Sequence, residues 1–212
     1  MTTGQTLERN VLKSGLLSHS QMPNIIPLVN VIRVLNRAKV SYVLVGAHGL
    51  ASWRGKPRAT EDVDVVVATR HLKKAVDALS KAFPNLEAED CAVVIRLRDR
   101  ASQDVLIDVM KPNQQPYREV FKNDRTIKVE EQKVRIPSLE MALVMKYSAM
   151  VSLHRADKDK FQDAHDFIYI VENNPNVDKE KLAELAELIF DGAGKEILET
   201  VRRIEAGEKL VL

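Results

Sequence analysis

One stretch constrains this chain more than any other: Val43-Leu44-Val45-Gly46-Ala47 through Thr60-Glu61-Asp62-Val63-Asp64-Val65-Val66-Val67. It reads as a buried strand, a glycine turn, a short helix, a Gly/Pro-punctuated loop carrying Lys56, Arg58 and Thr60, and a second strand. Side chains alternate along a strand, so Asp62 and Asp64 face one side and Val63, Val65 and Val67 the other. At roughly 3.3 Å per residue the two carboxylates stand about 7 Å apart. Like charges this close raise each other's pKa unless something positive lies between them, and a divalent cation is the usual solution. An acidic strand end that simply meets water is the competing reading.

The residues around the aspartates favour the cation. Gly46 follows a β-branched run and precedes Ala47-His48-Gly49-Leu50-Ala51-Ser52-Trp53, which has helical composition. A glycine at a strand-to-helix turn lets backbone approach a ligand, and free amides there suit phosphate. Farther along, Leu106-Ile107-Asp108-Val109-Met110 places one acid in the middle of an apolar strand. That charge must be paired or bound to metal. Arg96 or Arg98 is a possible ion-pair partner, and a metal role is the alternative.

Gly46-Ala47, the spacer, Pro57-Arg58-Ala59-Thr60-Glu61 and Asp62-Val63-Asp64 together resemble the signature of the polymerase-beta-type nucleotidyltransferase superfamily. The Pro-Arg-x-Thr-x-Asp-x-Asp form is closest to the small prokaryotic branch that includes AbiEii-type abortive-infection toxins and related minimal nucleotidyltransferases. Ala47 stands where that superfamily more often has Gly or Ser, so the hydroxyl contact to phosphate is missing. The resemblance implies an α/β (α+β) fold, a mixed sheet flanked by helices and followed by a C-terminal helical lobe. It implies transfer of a nucleoside monophosphate from a nucleoside triphosphate to an acceptor hydroxyl, with two Mg²⁺ ions. Asp62, Asp64 and Asp108 would hold the metal, with Asp108 also the general base. Gly46, Ala47, Arg58 and Thr60 would line the nucleotide site.

The resemblance extends to Lys146, which would contact triphosphate oxygens, and to Lys160-x-x-Asp163-x-x-Asp166, whose acids would orient that lysine or the acceptor. From spacing alone, Asp159, Asp163 and Asp166 also suit a solvated acidic helix face, and Lys146 a snorkelling surface lysine. The implied acceptor is a tRNA end, a protein or a small hydroxylated molecule. The implied context is a toxin–antitoxin system with a cognate antitoxin or toxin. A catalytically silent nucleotide-binding or partner-binding module on the same fold is the rival that Ala47 keeps open.

The rest of the chain supplies the frame. The sequence has 45% hydrophobic and 29% charged residues over 212 positions, enough for one core and a small appended lobe. A net charge of +2 announces neither a nucleic-acid field nor an anionic membrane. The lone Cys91 suits a reducing cytoplasm, and no apolar run approaches the roughly 20 residues of a membrane span. Three regions are expected: an N-terminal arm over 1–22, flexible or partner-binding; a core over 23–136; and a helical lobe over 137–212. Within the core a helix capped by Asn24 runs to about Lys39. A second, capped by Thr69, carries Leu72, Ala75, Val76, Leu79, Ala82 and Phe83, with His71 and the lysines on its wet face. Strands are expected at Cys91–Leu97 and Val105–Met110, and a hairpin within Arg118–Ile136. Ser138 opens the first of four C-terminal helices.

Overall fold

The computed structural model describes residues 25–210, so the arm expected over 1–22 and the cap expected from Asn24 lie outside the described residues. The described residues divide into two compact units: 25–52 with 56–137, and 53–55 with 138–210.

The first unit is built on a five-stranded mixed sheet. Its strands are β1 (Tyr42–Leu44), β2 (Val63–Val67), β3 (Leu86–Asp90), β4 (Val94–Asp99) and β5 (Val105–Met110), in the order β1-β2-β5-β4-β3. Only β2 and β5 run parallel. A separate hairpin joins β6 (Asp124–Val129) to β7 (Gln132–Pro137). Helix α1 (Leu28–Arg37) begins after Pro27, whose fixed φ starts a helix readily, and buries Leu28, Val31, Ile32 and Leu35 at helical spacing. Helix α2 (Gly46–Leu50) is a little over one turn long. Helix α3 (Leu72–Ala82) buries Ala75 and Leu79. The expected mixed α/β sheet flanked by helices is what the chain forms.

Local structure departs from the expectations at several points. Leu86–Asp90 is a strand, although Leu-Glu-Ala-Glu-Asp has poor strand propensity. It forms because the opposing strand is basic: Glu87 pairs in register with Arg98 and Glu89 with Arg96, and Arg98 Nε donates to Glu89 Oε2 at 2.8 Å. Its turn consumes Cys91, so β4 begins at Val94 and not at Cys91. Thr69 caps no helix; Thr69–His71 forms a 3-10 turn and α3 starts behind it. His71 is no mere surface residue either, because its Nδ1 accepts the Ser41 N–H at 2.8 Å. The hairpin expected within Arg118–Ile136 forms from Asp124 to Pro137, preceded by a 3-10 turn over Tyr117–Phe121.

The second unit contains α4 (Leu139–Met150), α5 (Asp157–Asn173), α6 (Lys179–Ala186) and α7 (Ala193–Glu205). Ser138 caps α4 by accepting the Met141 N–H at 3.3 Å, and Asp178 caps α6 by accepting that of Lys181 at 3.0 Å. Helix α4 is buried on almost every side, from Leu139 to Tyr147, which fits its nearly uniform apolar composition. Leu143, Phe167, Ile170, Leu182, Ile197 and Val201 form the core of this unit. The short segment Trp53–Gly55 is stitched to α5: Asn173 Nδ2 donates to the Arg54 carbonyl at 3.0 Å and Asn174 Nδ2 to that of Trp53 at 2.7 Å. Among the described residues no helix is long and apolar enough to cross a membrane.

Ile107 lies fully buried on β5, at the centre of the sheet, whereas Leu153 is 91% exposed. Ile107→Ala should therefore lower stability by about 2–5 kcal/mol in urea unfolding, and Leu153→Ala should leave the midpoint unchanged.

Candidate active site

The sheet register brings the acids together. Asp64 on β2 and Asp108 on β5 are direct partners across the parallel pair, so their side chains leave the same face. Asp62 stands one residue before β2 and, two residues from Asp64, shares that face. One oxygen from each of Asp62, Asp64 and Asp108 can be chosen so that all lie within 4.8 Å of one another. Behind them Val63, Val65 and Val67 are buried, which leaves the carboxylates no freedom to rotate with the strand.

Gly46 makes this convergence possible. Its φ is +57°, a conformation that costs an ordinary residue energy, and a Cβ there would lie 2.6 Å from Asp64 Cγ and closer still to Oδ2. The glycine is thus required by the aspartate, beyond any role in approaching a ligand. The Val45 N–H donates to the Asp64 carbonyl at 2.9 Å, pinning the glycine turn to the strand. Ala47 is buried at 3% exposure.

Burial raises the cost of the charges. Asp108 is pushed up to about 6, first by desolvation, with Arg96 pulling against it, Asp62 adding to the rise and Arg98 opposing it. Arg96 Nε lies 3.9 Å from Asp108 Oδ1, too far for a hydrogen bond, and that oxygen is buried without a hydrogen-bond donor. The expected ion pair with Arg96 is thus present, but it leaves that oxygen without a hydrogen bond. An all-oxygen donor set, three carboxylates in close quarters and a buried oxygen lacking a donor are what a hard divalent cation such as Mg²⁺ takes. The residues present fit that ion.

Around the acids, Thr60 Oγ1 donates to Asp62 Oδ1 at 2.6 Å. Arg58 Nη1 makes a long contact of 3.4 Å to the Ala59 carbonyl. Arg58, Thr60, Glu61, Asp62, Asp104 and Val105 line an open cavity of about 460 Å³. His48 is 2% exposed, and burial lowers it to about 4, with Asp62 opposing the shift and Arg58 adding to it.

In the helical unit, Lys146, Asp163 and Asp166 meet, but not as a solvated face. Asp163 and Asp166 are 2% and 0% exposed. Lys146 Nζ sits 2.7 Å from Asp163 Oδ1 and 2.8 Å from Asp166 Oδ2. Arg155 Nε reaches Asp163 Oδ2 at 2.5 Å, and Arg54 Nε reaches Asp166 Oδ1 at 3.0 Å. Three cations thus share two carboxylates, and Lys146 is neither a snorkelling nor a solvent-facing lysine. Arg54 was not legible in the sequence as part of this group. It is buried at 4% exposure, its guanidinium lies 5.2 Å from the Tyr169 ring, and no spacing links it to α5.

The fold resembles that of an antigenic nucleotidyltransferase-like protein from Paracoccidioides brasiliensis, with a TM-score of 0.51 and 18% identity, covering 95% of each chain. It also resembles the antibiotic-resistance factor ANT(2'')-Ia in solution, with a TM-score of 0.54 and 10% identity over 85% of this chain and 96% of that one. The crystal structure of ANT(2'')-Ia with adenylyl-2''-tobramycin gives 0.50 and 11%, over 76% and 94%. At these identities the likeness is one of fold, and the fold is that of nucleotidyltransferases. Residues 33–210 match the family described as nucleotidyl transferase AbiEii toxin, Type IV TA system, and the chain belongs to that family. No curated protein sequence matches it significantly.

Two outcomes follow from burial. Folded His48 resists protonation down to about pH 4, while an unfolded histidine takes its proton near 6.5. The unfolded state then binds more protons between those values, so His48 destabilises the fold as pH falls from 6.5 towards 4, by at most about 3 kcal/mol. The stability lost between pH 7.5 and 4.5 in urea unfolding should be smaller in His48→Gln. Separately, Asp166→Ala leaves Lys146 and Arg54 short of a carboxylate in a buried setting. It should cost about 3–5 kcal/mol of the same unfolding free energy.

Proposed function

We propose that this protein is a Mg²⁺-dependent nucleotidyltransferase that moves a nucleoside monophosphate from a nucleoside triphosphate to an acceptor hydroxyl. The observation that carries the proposal is the convergence of Asp62, Asp64 and Asp108 within 4.8 Å on one face of the sheet, beside a glycine where a Cβ would collide with Asp64. Membership of the AbiEii family supports the transferase reading, and in that reading the acceptor is a tRNA, a protein or a small molecule and the setting a toxin–antitoxin system.

In this reading Asp62, Asp64 and Asp108 hold Mg²⁺. When bound, Mg²⁺ neutralises triphosphate charge and favours attack at the α-phosphorus. The acceptor oxygen forms a bond to that phosphorus, the bond from the α-phosphorus to its bridging oxygen breaks, and pyrophosphate leaves with the electron pair. Asp108 receives the acceptor proton on its carboxylate. Gly46 and Ala47 present backbone, not a side-chain hydroxyl, towards phosphate, with Arg58 as the nearby cation. Within the helical unit, Lys146 is the cation we assign to triphosphate oxygens. Asp163 and Asp166 fix its ammonium in place.

The test is direct. The protein is incubated with Mg²⁺ and each α-labelled nucleoside triphosphate, in turn with a tRNA pool, with cell lysate and with hydroxylated antibiotics. Transfer of label to one acceptor is expected, falling to background in Asp64→Ala and without Mg²⁺. Triphosphate binding without transfer to any of these would make the chain a silent nucleotide-binding module instead.

A further inference from the structure

We propose that Thr60 is a positioning residue that aims Asp62 at the metal, and so sets how tightly and how selectively the three-carboxylate site takes Mg²⁺. The proposal rests on the metal-site reading above. Its starting point is an asymmetry among the three acids. Asp64 and Asp108 are held by the sheet itself: they are ladder partners, and Asp64 also packs against the Gly46 backbone. Asp62 has no such support, because the ladder between β2 and β5 begins at Val63 paired with Ile107. It belongs instead to the irregular segment that carries Arg58 and Thr60 along the rim of the 460 Å³ cavity.

What holds its carboxylate is the Thr60 hydroxyl, which donates to Oδ1 at 2.6 Å. A short hydrogen bond to an ionised oxygen is among the stronger kinds and is directional. Thr60 lies two residues before Asp62, so the bond closes a local loop that fixes side chain and backbone together. A hydroxyl has one proton to give. With that proton committed to Asp62, Thr60 acts on the ligand set and does not serve as a phosphate donor.

Two physical consequences follow. Hydrogen bonds to the carboxylates of a metal site generally matter by about 10–100-fold in metal affinity. Mg²⁺ demands near-ideal octahedral geometry at short distance, whereas Ca²⁺ accepts irregular coordination. Freeing one of three carboxylates therefore penalises Mg²⁺ more than Ca²⁺. A threonine that merely stabilised the loop would change affinity for both ions alike.

The full chain is titrated calorimetrically with Mg²⁺ alone and with Ca²⁺ alone, without nucleotide, as wild type, Thr60→Val and Thr60→Ser. Thr60→Val, which keeps shape and removes the hydroxyl, should weaken Mg²⁺ binding by about 10–100-fold and Ca²⁺ binding by less. Thr60→Ser should restore wild-type behaviour. If Thr60→Val does not fold, Thr60→Ala serves the same comparison. Unchanged Mg²⁺ affinity in Thr60→Val, or an equal loss for both ions, overturns the role of Thr60 while leaving the metal site standing. A wild type that binds neither ion overturns the metal site and the proposal together.

Discussion

Mutual repulsion among three carboxylates is the constraint on which the rest of the first unit depends. Asp62, Asp64 and Asp108 are brought close by a parallel strand pair whose opposite face is packed with valines. The strand pair cannot relax by twisting the acids away without exposing that core, since a one-residue slip would exchange the two faces. The charge is therefore imposed by the hydrophobic packing. Part of the cost shows in Asp108, whose carboxyl rises to about 6 through burial and through Asp62. A cation would relieve the cost, and the three carboxylates are arranged to hold one.

The surrounding residues are explained by that constraint. Gly46 takes a left-handed conformation, and any side chain there would also collide with Asp64. Beyond the ladder, Thr60 supplies for Asp62 what strand pairing supplies for the other two acids. In the helical unit the opposite strategy is used. Asp163 and Asp166 are as buried as side chains become, yet they are neutralised within the protein by Lys146, Arg54 and Arg155. One unit gathers three carboxylates with no lysine or arginine in hydrogen-bond contact with Asp108, and the other fixes a lysine inside a compensated cluster.

Much of this was legible in the sequence, and what was not has physical causes. The alternation in Asp62–Val67 and the single acid in Val105–Met110 announced the triad, because strand period and charge in an apolar run are local signals. The mixed sheet and four C-terminal helices were readable for the same reason. Leu86–Asp90 was not, since its strand character comes from Arg96 and Arg98 on the neighbouring strand and not from its own residues. The burial of Asp163 and Asp166 was hidden likewise: an i, i+3 acidic pair looks solvated until Lys146 and Arg54 arrive from elsewhere in the chain. Arg54, wedged between Trp53 and Gly55, carries no local mark of its partner.

The central claim is that a divalent cation sits among Asp62, Asp64 and Asp108. Crystals grown with Mn²⁺ and a non-hydrolysable nucleoside triphosphate, measured at the manganese absorption edge, test it most directly. The account predicts an anomalous peak within coordination distance of all three carboxylates. A peak elsewhere, or none while triphosphate is bound, would contradict it.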